Sequence, residues 1–234
     1  MAPVRRASRA PGGEVVADRL RDALLWWRTF LRHASPRRLH FMVPEPPLII
    51  FVDGACEIDF FGVGALIVDR RLGLCEAFGA EVPRYLVDAV CASTGSQRII
   101  AQLELLPVLL ATWVWAASLA PPGRRVIVFI DNDSARYALI RGYSPVAASR
   151  VLVEQTWQQL ARAQAAPWFE RVPSTGNPAD APSRGDRQRL FRDVPGARWR
   201  EDALDGPRLR ELACMIGGGS GSEGRAPAPA QGGD

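Results

Sequence analysis

Ile49-Ile50-Phe51-Val52-Asp53-Gly54-Ala55 is a short, continuous apolar run, rich in β-branched residues, that closes on a carboxylate. With Leu48 in front of it, the run reads as a strand buried on both faces, because it lacks the polar alternation of a half-exposed one. A second run, Val126-Ile127-Val128-Phe129-Ile130-Asp131-Asn132-Asp133-Ser134, has the same form and also closes on an acid. If the two strands are parallel neighbours, Asp53 and Asp131 project side by side from one end of a sheet. A strand spacing of about 5 Å then leaves room for one metal ion between them. Each acid also has a plainer reading. Asp53-Gly54 is a common turn pair, and Asp131 opens a loop ahead of a helix that Asp133 or Ser134 would cap.

Outward from these strands, Gly62–Val68 and Leu74–Phe78 read as two more, joined by a turn at Arg70–Gly73, so that the first three form an antiparallel meander. Residues 79–98 show no clear period. Ile99–Leu119 reads as a helix ended by Pro122 and Gly123, with further helices near Ser134–Arg141 and Pro145–Ala165. Trp168–Val172 is a last strand, and a last core helix starts at Pro178. Trp157 and Trp168 read as core residues. The predicted class is α/β: a mixed five-stranded sheet, antiparallel meander plus parallel strands, flanked by helices. Around a domain over 47–190, the reading sets a disordered leader over 1–13, a helical connection and Pro-rich link over 14–46, an extension over 191–216, and a disordered Gly/Ala/Pro tail over 217–234.

The 234 residues are 47% hydrophobic, enough for one domain with its own core and tails. Twenty-nine basic against 25 acidic residues give a net charge of +4, and every one of the 29 is Arg. Arg suits phosphate oxygens, but coding bias produces the same pattern, so the charge permits a nucleic-acid partner without demanding one. Cys56, Cys75, Cys91 and Cys214 form no CxxC pair and read as free thiols of a reducing, intracellular compartment, nucleus and cytoplasm not being distinguished. Only His33 and His40 are present, which argues against a His-based triad or metal site. The longest apolar run, Leu105–Ala120, is short for a membrane span and fits a buried helix. The Arg-rich, acid-free first thirteen residues read equally as a disordered leader or an organellar transit peptide.

Two further acids matter. Glu104, near the start of the long helix, would favour the helix dipole, yet it stands among Leu103, Leu105, Leu106 and Leu109, where a carboxylate is costly unless a cation or donor satisfies it. Asp180 follows Asn177-Pro178-Ala179, which reads as N-cap, N1 and N2 of the last helix, so an N3 capping acid is its plain role.

The order Asp53, Glu104, Asp131, Asp180, placed at strand end, helix start, strand end and last-helix start, resembles type 1 ribonuclease H. The segment Asn177-Pro178-Ala179-Asp180-Ala181-Pro182-Ser183-Arg184 is similar to the Asn-x-x-Asp-x-x-Ser-Arg pattern of the RNase H domain in retroelement reverse transcriptases. The resemblance covers about residues 47–190, and the Leu25–Leu31 and Pro36-Arg37-Arg38 stretches are similar to the connection preceding such domains. It implies hydrolysis of the RNA strand of an RNA/DNA hybrid with two Mg²⁺ or Mn²⁺ ions, one activating the attacking water and one stabilising the leaving 3′ oxygen. Asp53 would bridge both ions, Glu104 and Asp131 would complete one site, and Asp180 the other. Gly54, Ala55, Asn132 and Ser134 are the candidates for reading the RNA strand, and Arg184 for a phosphate. The implied partners are the hybrid and a polymerase module absent from this chain, with no membrane, the chain itself a monomer.

The sequence departs from that pattern in three places. Residues 173–179 contain no His where many RNases H carry one, Pro107 lies three residues past Glu104, and there is no basic, Trp-rich handle for the hybrid. A catalytically inactive retroelement remnant is the main alternative. A DEDD exonuclease would want Asp-x-Glu on the first strand, and a DDE integrase would want Glu last. A module whose acids are only caps and turns requires that the four carboxylates do not converge.

Overall fold

The computed structural model describes residues 20–21, 24–25, 27–28, 31–32, 46–120, 123–201 and 203–218. The chain divides into two units, Met1–Phe41 and Met42–Asp234. In the first, every described position is helical, and Leu20, Leu24, Leu25, Trp27 and Leu31 are exposed. The expected leader, most of the connection and the tail from residue 219 lie outside the described residues.

The second unit is built on one sheet. Strands β1 (Leu48–Glu57), β2 (Phe60–Asp69) and β3 (Leu74–Glu81) form the antiparallel meander. β1 also pairs in parallel with β4 (Arg125–Ile130), and β4 in parallel with β5 (Ala166–Arg171). The order is β5-β4-β1-β2-β3-β6, a mixed sheet flanked by helices as expected, but with six strands rather than five. The added strand, β6 (Arg198–Trp199), is two residues long, too short for any period to show in sequence, and it lies parallel to β3 with Arg187 stacked 4.5 Å over Trp199. β5 starts at Ala166, earlier than expected. Pro167 is tolerated there because β5 is an edge strand. For the same reason Trp168 is 65% exposed and not a core residue, whereas Trp157 packs edge-on against Phe169 and donates to the Leu139 carbonyl.

The helices are α1 (Arg84–Thr94), α2 (Ile100–Val114), α3 (Ala116–Leu119), α4 (Asp133–Arg141), α5 (Ala147–Arg162), α6 (Asp180–Ser183), α7 (Arg187–Asp193) and α8 (Gly206–Gly218). α2 is buried from Gln102 to Thr112 because it lies between the sheet and α5, which accounts for its nearly all-apolar sequence. The expected helix over 99–119 breaks at Trp115, whose indole donates to Glu76 on β3 at 2.8 Å and packs on Phe78. α1 fills the stretch that showed no period. Pro83 precedes it, Gly95 at φ +64° ends it, and Leu86, Val87 and Val90 face inward towards α8.

Alternation on β2 divides the interior. Val63, Ala65 and Ile67 join the main core under α1, α2, α5 and α8, while Leu66 joins a smaller cluster with Ala77, Ala181 and Leu190 under α6 and α7. At the end of the sheet away from Asp53, Asp69 and Arg124 form a buried ion pair at 2.6 Å. Among the described residues no helix is long and apolar enough to cross a membrane.

Candidate metal centre

Asp53 and Asp131 are brought together by the parallel pairing of β1 with β4. The ladder matches Phe51 with Phe129, and the same register two residues on sets Asp53 level with Asp131. Asp131 directly follows β4, as expected. Asp53 does not end its strand: β1 runs on to Glu57 against β2, and the turn falls at Ile58–Asp59, with Asp59 at φ +59°. The Asp53-Gly54 pair is therefore not a turn. Gly54 is glycine because a Cβ there would lie 2.5 Å from the Leu103 carbonyl carbon and 2.8 Å from the Glu104 nitrogen, so β1 crosses α2 backbone to backbone.

That crossing places Glu104. It sits in the second turn of α2 rather than the first, is 4% exposed, and accepts a hydrogen bond from the Gly54 amide. Pro107 does not displace it, because α2 begins at Ile100 and continues through the proline to Val114. The missing N–H of Pro107 would have bonded the Leu103 carbonyl, the group against which Gly54 packs. One oxygen from each of Asp53, Glu104 and Asp131 lies within 4.8 Å of the others.

Three carboxylates so close cannot all stay ionised cheaply. Burial, then the charges of Asp131 and Asp53 and a hydrogen bond shared with Asp131, push Glu104 up to about 10, against the Gly54 amide. Burial pushes Asp53 up to about 6, with the Ser183 hydrogen bond opposing and Asp131 and Asp180 adding to the rise. Glu104 Oε2 is buried with no hydrogen-bond partner. An all-oxygen donor set, a crowded negative charge and an orphaned buried oxygen are compatible with a divalent cation.

Asp180 is outside this trio. It opens α6, a single turn, with Ala179 rather than Asn177 at the cap position, so it is not the expected N3 acid. Burial disfavours its charge, but Arg184 Nε at 3.0 Å from Oδ1 and Arg189 Nη1 at 2.5 Å from Oδ2 outweigh that and hold it below the usual carboxylate range. The last helix is divided into α6 and α7 by Gly185 at φ +71°.

The other candidates fall as follows. Gly54 and Ala55 are buried within β1. Asn132 accepts from the Ala135 amide at 3.0 Å and caps α4, the role expected of Asp133 or Ser134, because its backbone is still extended where the helix begins. Ser134 is exposed on the first turn of α4. Arg184 pairs with Glu57 as well as Asp180.

Two residues of the closing motif, Asn177, expected only as a helix cap, and Ser183, given no role, prove to touch the trio. Ser183 Oγ lies 2.5 Å from Asp53 Oδ2. Asn177 Nδ2 donates to the Val52 carbonyl at 2.8 Å and approaches Asp53 Oδ1 at 3.4 Å, while its Oδ1 accepts from the Ala179 amide. Their place in the Asn177–Arg184 pattern was the only available signal.

No protein-family model matches the sequence, and no curated protein matches it. Among solved structures the chain is similar to RNase H1 from the halophilic archaeon Halobacterium salinarum NRC-1, at 16% identity and a TM-score of 0.47, covering 60% of this chain and 97% of that one. It is also similar to the N-terminal RNase H domain of a Mycobacterium tuberculosis protein, solved as a fusion with maltose-binding protein. That likeness has 14% identity and a TM-score of 0.45, covering 63% of this chain and 97% of the other.

Proposed function

We propose that this protein is a metal-dependent endonuclease that hydrolyses the RNA strand of RNA/DNA hybrids, derived from a retroelement reverse transcriptase polyprotein and acting inside the cell. The observation that carries this reading is the buried trio Asp53, Glu104 and Asp131, supplied by two parallel strands and a helix in the order that the resemblance implies. Those three residues would hold Mg²⁺ or Mn²⁺. When bound, the metal supplies Lewis-acid stabilisation of charge on a phosphate and lowers the pKa of a water. Asp53 and Glu104 would contribute buried carboxylates and Asp131 one at the rim. A second ion calls on Asp180, whose two oxygens are shared with Arg184 and Arg189.

The test is incubation of a labelled hybrid with the full chain in Mg²⁺ and, separately, in Mn²⁺. We expect cleavage of the RNA strand, falling to background in Asp131→Asn with an unchanged circular dichroism spectrum. A second reading, an inactive remnant that retains the fold and weak nucleic-acid binding, is favoured by the engagement of Asp180 with two arginines. A folded protein that binds hybrid and cleaves it with neither metal would establish that reading instead.

A further inference from the structure

Asp53 is 5% exposed, and its two oxygens accept from neutral side chains, Ser183 at Oδ2 and, more distantly, Asn177 at Oδ1. Ser183 is itself 1% exposed. Its hydroxyl lies 2.5 Å from Asp53 Oδ2 and 3.0 Å from the Asp180 carbonyl, and its single proton goes to the nearer, charged acceptor.

The depth at which this hydroxyl arrives is set by the sheet. Gly64 lies opposite Asp53 on β2, Gly79 lies opposite Gly64 on β3, and Gly62 is two residues from Gly64 on the same face. A Cβ at Gly62 would fall 2.0 Å from the Ser183 carbonyl oxygen, one at Gly64 2.2 Å from the Ser183 nitrogen, and one at Gly79 1.9 Å from the Pro182 carbonyl oxygen. The three glycines form a bare patch on which the Pro182–Ser183 backbone rests directly. The contact is backbone on backbone, with the Phe60 ring beside Gly62 and the Trp199 ring beside Gly79.

We propose that Ser183 is a positioning residue of the metal centre. Its hydroxyl ties one oxygen of Asp53, fixing the carboxylate so that the group is presented to Glu104 and Asp131 in one orientation, and the glycine patch fixes the hydroxyl. The proposal rests on the metal-centre reading above. It differs from a packing role in what it moves: a Ser183 that only packs affects stability, whereas one that aims Asp53 affects cation affinity.

Mn²⁺ binding to the full chain, followed by the electron paramagnetic resonance signal of free Mn²⁺ without nucleic acid, separates the two. Wild type, Ser183→Ala and Ser183→Cys are compared, with folding checked by circular dichroism. Loss of a charge-assisted hydrogen bond corresponds to about tenfold weaker Mn²⁺ binding in Ser183→Ala. Ser183→Cys, which keeps the volume and a weak donor, should lose about threefold, and it carries the test if the alanine variant does not fold. Wild-type affinity in a folded Ser183 variant overturns the positioning role and leaves the metal reading intact. A wild-type chain that binds no Mn²⁺ at millimolar concentration overturns both.

Discussion

Glu104 shows how a residue can be legible in kind and illegible in place. The apolar neighbours marked it as a carboxylate in need of a partner and the helix start was expected within a residue of where it falls, but the backbone crossing of β1 at Gly54 that brings Asp53 and Asp131 to it leaves no mark in the local sequence. Asn177 and Ser183 escaped for a related reason: each bonds a residue more than a hundred positions away, which no local pattern records. The raised protonation of Glu104 and Asp53 has a defined pH consequence. Both acids are held above their ordinary values in the folded chain, so folding takes up protons between the ordinary carboxylate range and about 10 for Glu104 or about 6 for Asp53. Their stabilising contribution is complete below that range and is lost as pH rises through it. We expect the metal-free thermal midpoint to fall between pH 5 and pH 9. Glu104→Gln, which removes the titrating group, should flatten that slope and raise the pH 8 midpoint by about 3 °C, while weakening cation binding. A steeper slope in the variant would show that the destabilising charge lies elsewhere.

At the level of elements, the strands and long helices were readable because burial on both faces or on one stripe imposes a composition. The exceptions were pieces whose place is decided by neighbours. α1 is a short helix whose buried face rests on α8, β6 has two residues, and α6 is a single turn held by what lies beneath it. The bare glycine patch makes that last dependence measurable. Gly79→Ala would place a methyl group 1.9 Å from the Pro182 carbonyl oxygen, and neither backbone can yield without moving the α6 turn. We expect a cost of about 2 kcal/mol, read as a lower urea midpoint with an unchanged m-value. Gly95, with φ +64° and nothing within 4 Å of a Cβ, marks the contrast: its glycine answers a helix-ending conformation rather than a contact.

Across the whole molecule, the sequence pattern supplied the element types and the antiparallel meander, while the full order of the strands is given by the structure. Apolar runs do not say which neighbour they will choose. What closes the core is also distant in sequence. α8 lays Leu209, Leu212 and Ile216 into the main cluster beside α1, and each such buried side chain is worth about 2 kcal/mol. Ending the chain after Asp205 should therefore lower the thermal midpoint by more than 10 °C or leave the protein aggregated, with α1 exposing Leu86, Val87 and Val90. An unaltered midpoint would mean that α8 is dispensable.

The parallel register of β1 on β4 has one more effect. A slip of a single residue would carry Asp131 about 3.3 Å along the sheet and turn its side chain to the opposite face. A one-residue slip therefore separates Asp131 from Asp53 and Glu104, which the native register brings together. The cation binding proposed above would then report on that register. In a refolding experiment it would count correctly threaded molecules, whereas circular dichroism would count every molecule that has formed a sheet.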